Sequence, residues 1–139
     1  MKTKRDVAML ILKNKEGKFL LQHRAEHLER WPGKWGFFGG GIDEGETPEE
    51  GFKREIWEEL GYKVNNPCLL HRIEYSGVDY FGERFLFTCE LDESQEFSLC
   101  SESQALGWFD IEEIKNQEKL ILNKFDYENI MRLIDDVKE

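Results

Sequence analysis

Apolar residues in the first forty positions fall in short runs separated by turn residues. Arg5–Lys13 carries apolar side chains on both faces, as a buried strand does. Asn14–Gly17 reads as a turn and Lys18–Arg24 as the next strand, so the pair predicts a hairpin. Glu26–Lys34 is a polar loop containing Pro32-Gly33. Trp35–Phe38 predicts a short strand that runs into a glycine loop, Gly39-Gly40-Gly41.

Further along, the period changes from two to about 3.6. Thr47–Leu60 predicts a helix with Thr47 as its cap, Pro48 in the first turn and Glu50 completing a capping box. Gly61 suits the left-handed residue that ends such a helix. Tyr62–Tyr75 and Tyr80–Leu91 read as extended segments joined by a turn near Gly77, and Ala105–Asp110 as another strand. In Tyr127–Val137, the residues Ile130, Leu133, Ile134 and Val137 recur at helical spacing, which predicts an amphipathic helix covering a sheet. Strands mixed with at least two helices imply an α/β or α+β sandwich. At 139 residues, without repeat or linker, the chain is expected to form a single domain, 1–139.

Charge narrows the function classes. The net charge is -10, which disfavours general binding to nucleic acid polymers or anionic membranes. Residues 1–35 hold nine Lys/Arg against four Asp/Glu, and the remainder hold ten against twenty-five. Ordinary solvated surface explains such a split. A sharper reading pairs an anionic ligand with the basic segment and metal cations with the acidic part. The longest apolar run, Val7–Leu12, is too short to span a bilayer, which needs about 20 residues. Nor does the N-terminus have a signal-peptide pattern, so a cytoplasmic protein is expected. Three cysteines, none in CxxC spacing, argue against a disulfide framework and read as small buried hydrophobes.

The candidate chemistry lies between Gly39 and Tyr62. Glu55, Glu58 and Glu59 share a wedge of about 100° on the predicted helix, while Phe52, Ile56 and Leu60 form an adjoining apolar face. Three crowded carboxylates suit Mg²⁺ or Mn²⁺, although a solvated Glu-rich face has the same spacing. Arg54, four residues before Glu58, has the spacing of an ion pair. Gly51 inside the helix costs roughly 1 kcal/mol relative to Ala, and close packing against a strand or loop would explain it. Glycine-rich loops often cradle phosphate, but no GK[ST] follows this one, and Glu44 stands where the third glycine of a dinucleotide fingerprint belongs.

Loop and helix together resemble the Nudix box, G-x5-E-x7-R-E-U-x-E-E-x-G-U, where U is a bulky aliphatic residue. Gly40, Glu46, Arg54, Glu55, Glu58, Glu59 and Gly61 match all seven fixed positions, Ile56 fills the first U, and Tyr62 is aromatic at the second. The match is strong over the 23 residues of the box and loose over most of residues 7–110. Upstream, Phe38 replaces a proline common in the family. Downstream, Leu106–Asp110 resembles a later strand, and Glu102 falls where MutT-type members carry a further catalytic glutamate. Ala105 replaces a second acidic residue found in many relatives.

The resemblance implies an α/β/α sandwich with a mixed sheet. It also implies a Mg²⁺- or Mn²⁺-dependent pyrophosphohydrolase acting on a nucleoside diphosphate linked to another group. In that reading, Glu55, Glu58 and Glu59 are metal ligands with the Gly39 carbonyl, and one of the glutamates also serves as base. Arg54 orients a box carboxylate, Glu46 braces the loop, and Glu102 is a general base or a ligand. Arg24 and Trp35 are assigned to a nucleotide-type small-molecule substrate. A nucleoside triphosphate, including an oxidised one, is favoured. Alternatives are a nucleotide sugar, a dinucleoside polyphosphate, a non-catalytic nucleotide-sensing module on the same fold, and a divalent-ion-binding protein with no nucleotide partner.

Overall fold

The structure, a computed structural model, describes residues 1–137, with side chains through residue 133. In chain order the elements are β1 (Thr3–Lys4), β2 (Val7–Leu10), β3 (Phe19–Arg24), β4 (Trp35–Gly36), β5 (Gly39–Gly41), α1 (Pro48–Leu60), β6 (Cys68–Ser76), β7 (Tyr80–Thr88), β8 (Ser103–Phe109), α2 (Ile111–Lys115), α3 (Gln117–Leu120) and α4 (Lys124–Val137). They divide into two compact units. One comprises Met1–Leu12 and Phe38–Cys100; the other comprises Lys13–Phe37 and the chain from Ser101 onward.

The first unit contains a mixed sheet. β7 pairs antiparallel with β6 and parallel with both β1 and β2, while β2 pairs antiparallel with β5. The expected α+β architecture with a mixed sheet is therefore present. α1 packs its apolar face on this sheet, with Phe52 stacked on Phe87 at 4.6 Å between ring centroids. Phe52, Ile56 and Leu60 are fully buried, and each such side chain contributes roughly 1.5–3 kcal/mol on leaving water. The helix forms as its sequence dictates. Thr47 Oγ1 accepts the Glu50 amide, Glu50 Oε1 accepts the Thr47 amide, and Gly61 adopts φ +60° at the C-terminus. Gly51 has the expected close neighbour: a Cβ there would lie 3.1 Å from Ile42 Cγ1.

Tyr62, the aromatic departure from the box pattern, is fully buried. Its hydroxyl donates to the Glu90 carbonyl at 3.1 Å and accepts the Asp92 amide at 2.7 Å. The ring packs as an aliphatic residue would, and the hydroxyl moors the loop after β7.

The second unit holds a three-stranded antiparallel sheet, β4-β3-β8. Gln22, buried at its centre, donates to the Phe37 carbonyl at 2.9 Å and accepts from Ser103 Oγ at 2.6 Å. The start of α4 is fastened to the end of β4: Asp126 Oδ2 accepts the Phe37 amide and Asn123 Nδ2, each at 2.8 Å. Ile130 and Leu133 are buried, as the helical spacing predicts. The side chains of Ile134 and Val137 lie outside the described residues.

Three expectations are corrected. β2 and β3 do not form a hairpin ladder, because β2 is taken by β5 and β7; only the tip, a Lys13–Phe19 bridge around the Asn14–Gly17 turn, forms. Gly39–Gly41 is a strand rather than a loop, and the loop is the following Ile42–Thr47 stretch. The cysteines are not buried hydrophobes: Cys68 is exposed, and Cys89 and Cys100 are partly exposed.

Candidate active site

The box residues of the first unit assemble around β5. This strand lies against β2, with Ala8 opposite Gly40 and Met9 opposite Gly39. Gly39 has φ +151°, and a Cβ on it would run into the Ala8 carbonyl, so only glycine fits. Its amide donates to Glu59 Oε1 at 2.9 Å. At the next residue, the space a Gly40 Cβ would take is filled by the Glu55 carboxylate, 2.5 Å away. Two carboxylates one helical turn apart are thus seated on consecutive residues of one strand.

The three helix glutamates differ in exposure. Glu59 is 7% exposed, Glu55 is half-buried, and Glu58 faces solvent. Burying carboxylates costs several kcal/mol each unless they are paired or hydrogen-bonded. Arg54 supplies much of that compensation. Its Nη1 lies 3.0 Å from Glu55 Oε1 and 3.3 Å from both Glu58 oxygens. Its Nε and Nη2 grip both oxygens of Glu46, at 2.8 and 2.9 Å, and Nη2 also reaches the Gly41 carbonyl at 2.9 Å. Asp43 adds an ion pair at 3.4 Å.

The hydrogen bond to Glu46, followed by those to Glu55 and Glu58, raises the Arg54 pKa further, so its charge is permanent. In return, the Arg54 hydrogen bond, then the Asp43 amide, hold the Glu46 carboxyl below the usual glutamate range. Glu46 therefore braces the loop against the helix: Asp43 N donates to Glu46 Oε1 at 2.7 Å. The Gly41 carbonyl and Asp43 are partners the motif does not name. The strand pairing and the loop closure that present them leave no mark in the local sequence.

The remaining expected residues belong to the second unit. Arg24 spends Nε and Nη2 on the Arg30 carbonyl, at 3.1 and 2.8 Å, and so ties down the loop after β3. Trp35 is half-buried, stacked on His23 at 4.8 Å and edge-on to Phe109 at 5.0 Å. Glu102 is exposed in a turn, and its carbonyl accepts the Ala25 amide at 2.9 Å. Just before it, within the first unit, the Ser98 and Cys100 amides donate to the carbonyls of Leu60 and Glu59, at 2.7 and 3.3 Å.

Comparison with known proteins decides the family. The family model for the NUDIX domain matches residues 2–133. The chain belongs to the Nudix family. Among curated relatives, a mouse protein named oxidized purine nucleoside triphosphate hydrolase is 33% identical over 85 residues, covering 59% of this chain and 53% of the relative. A Chromobacterium violaceum protein named NAD-capped RNA hydrolase NudC is 34% identical over 105 residues, covering 76% of this chain and 38% of the relative. The chain thus spans about half or less of the length of these two relatives. Among solved structures, the MutT protein from Methanosarcina mazei Go1 superposes with a TM-score of 0.87 at 24% identity, covering 99% of this chain and 98% of that one. A MutT Nudix hydrolase from Burkholderia pseudomallei gives 0.67 at 26% identity, covering 80% and 86%. No helix among the described residues is long and apolar enough to cross a membrane.

Proposed function

We propose that this Nudix chain is a divalent-metal-dependent pyrophosphohydrolase of one domain, cleaving a nucleoside diphosphate linked to another group, with a nucleoside triphosphate favoured. The observation that carries this reading is the seating of Glu59 and Glu55 on Gly39 and Gly40, with Arg54 anchoring Glu55, Glu58 and Glu46. Such an array of oriented carboxylates has no evident purpose on a solvated helix face.

The donor set fits Mg²⁺ or Mn²⁺. Glu55, Glu58 and Glu59 offer hard carboxylate oxygens on one helix, and Glu59, 7% exposed, is held by the Gly39 amide. Among the described residues no three His, Cys, Asp or Glu side chains form a metal-holding cluster. Arg54 donates to both Glu55 and Glu58, which offsets the repulsion between them. The Gly39 carbonyl is a further proposed ligand. A bound divalent ion supplies charge neutralisation at phosphate oxygens and acidifies coordinated water.

The chain's own groups take the remaining roles. Arg54 keeps Glu55 and Glu58 in place, and Glu46 keeps Arg54 in place. Glu102 is the candidate general base or a further metal ligand, and one of the helix glutamates is the alternative base. A new bond forms between the water oxygen and phosphorus, the bridging P–O bond breaks, and two phosphate-bearing products leave. Arg24 and Trp35 bind the substrate. The mouse relative's name motivates including oxidised purine nucleoside triphosphates in the test. The deciding experiment incubates the protein with canonical and oxidised nucleoside triphosphates, nucleotide sugars and dinucleoside polyphosphates, with Mg²⁺ or with EDTA, and identifies products by mass. Metal-dependent release of a nucleoside monophosphate and pyrophosphate is expected. Binding without turnover of any of these would overturn the hydrolase reading.

A further inference from the structure

β6 is an outer strand of the mixed sheet. Among the described residues it pairs with β7 alone, so its other edge is open. The strand has nine residues, against about five or six in an ordinary strand. Its register shift lies between Leu69 and His71, which leaves His71–Ser76 regular. A long regular edge presents a row of unpaired amides and carbonyls, a template for another strand. The hairpin decides which residues offer them. The Gly77 amide donates to the Tyr80 carbonyl at 2.7 Å. Antiparallel pairing alternates from there, so Tyr75 and Ile73 turn their amides and carbonyls to β7, and those of Arg72, Glu74 and Ser76 point out of the sheet. In keeping with this, the Arg72 amide lies 3.2 Å from Nδ1 of the neighbouring His71 ring.

The charges on this edge are incompletely matched. Glu74 stands directly opposite Glu83 in the β6–β7 register, a like-charge pair that costs stability. Arg72 answers for Glu83: its Nε and Nη2 donate to the two Glu83 oxygens, each at 2.9 Å. The third nitrogen of that guanidinium, Nη1, is not part of the grip. Glu74 is exposed and has no hydrogen bond or ion pair among the described residues. Arg72, Glu74 and Ser76 share one face of the strand by its period of two. Apolar side chains are exposed at both ends of the element, Leu69 and Leu70 near its start and Val78 in the turn that follows it.

We propose that β6 pairs antiparallel with β6 of a second copy of this chain, about a two-fold axis through Ile73. Outward-pointing residues must meet outward-pointing residues, so the alternatives are discrete. With the axis at Ile73, Arg72 of each copy opposes Glu74 of the other, and the two residues exchange amide–carbonyl hydrogen bonds. An axis one residue to either side sets Arg72 against Arg72 or Glu74 against Glu74. Charge therefore selects a single register, in which Glu74 gains a cation and Arg72 Nη1 an acceptor. The same register carries Leu69 and Leu70 toward the partner's Val78 turn. This assembly is independent of the hydrolase reading.

The test is sedimentation equilibrium over a range of protein concentrations for wild type, E74R, E74P, R72E, the double variant R72E/E74R, and E16R. Circular dichroism confirms that each variant is folded. Wild type is expected to show a monomer–dimer equilibrium. E74R and R72E each set like charges together twice per dimer and should weaken association by roughly tenfold or more. E74P removes an outward amide without touching the β7 ladder and should do the same. E74R and E74P both keep the Arg72–Glu83 pair, so the test stands even where R72E fails to fold. The double variant restores opposite charges in the same register and should dimerise more tightly than either single charge reversal. E16R, at an exposed glutamate of the Asn14–Gly17 turn, controls for a change of net charge and should match wild type. Amide exchange by NMR should slow at Glu74 and Ser76 as concentration rises. A wild type that remains monomeric up to roughly 10⁻⁴ M overturns the proposal. So does a dimer undiminished in E74R and E74P, a loss in E16R equal to that in E74R, a folded double variant no tighter than the single reversals, or exchange at Glu74 and Ser76 that is independent of concentration.

Discussion

The Gly39 amide donates to Glu59 Oε1 at 2.9 Å, which locks the glycine strand to the last turn of the helix. One residue on, Gly40 leaves the space in which the Glu55 carboxylate lies. The two glycines serve different needs. Gly39 is demanded by backbone conformation and by the Ala8 carbonyl, and Gly40 by the carboxylate next to it.

That difference predicts separable mutants. Gly40→Ala meets only the end of a flexible side chain, so the melting temperature should change little. Glu55 is displaced, however, and hydrolysis should fall by roughly 10²-fold, as for a misplacement of about 1 Å. Gly39→Ala forces an L-residue into φ +151° against backbone and should cost about 1–3 kcal/mol or more of stability. Thermal melts and steady-state rates on both variants check this. Equal melting of the two would contradict it.

Arg54→Lys retains the charge but not the fork. A lysine cannot grip both oxygens of Glu46 while touching Glu55, Glu58 and the Gly41 carbonyl. The rate is expected to fall roughly 10–100-fold, as when a group orienting metal ligands is removed. Titration of Mg²⁺ should show weaker binding. Wild-type rate and Mg²⁺ affinity in this variant would show that Arg54 does not orient the carboxylates.

Glu46 gives a pH dependence with a defined sign. Its folded pKa is lowered from the ordinary glutamate value of 4.5, chiefly by the Arg54 hydrogen bond. It therefore contributes stability that is fully present above the unfolded pKa and is lost as pH falls through the folded one. Glu50, lowered by its Thr47 hydrogen bonds, acts in the same direction. Melting temperature should decline below pH 4.5, and Glu46→Gln should flatten that decline while lowering the plateau. A Glu46→Gln profile parallel to wild type would contradict the assignment.

Thiol reactivity offers a separate check on burial. Burial pushes the Cys89 thiol up to about 11, whereas Cys68 is exposed at the start of β6. Under limiting N-ethylmaleimide at pH 7.5, peptide mass spectrometry should find Cys68 labelled well before Cys89. The reverse order would contradict the packing around β7.

The helix and the grouping of its carboxylates were legible because they are local. Thr47, Pro48, Glu50 and Gly61 are capping signals that act within one or two turns, and Glu55, Glu58 and Glu59 share a face by period alone. β7, β8 and α4 also lie close to where the sequence places them, whereas β6 starts at Cys68 rather than at Tyr62. What was not legible depends on distant partners. Nothing near Gly39 says that β2 will pair with it, so three glycines read as a loop. Nothing near Val7 says that β7 will take the edge a hairpin with β3 would need. The short helices α2 and α3 were missed because five and four residues are too few to show a period.

The most direct measurement compares Glu59→Gln with wild type for Mg²⁺-dependent nucleotide hydrolysis and for melting without metal. Glutamine keeps the size of the side chain and an oxygen for the Gly39 amide, and removes only a buried charge. Stability without metal should be unchanged or slightly higher. Hydrolysis should fall by roughly 10²–10⁴-fold, with a weakened Mg²⁺ titration. Turnover within a few-fold of wild type at the same Mg²⁺ concentration would contradict the assignment of the α1 carboxylates as the metal-holding centre.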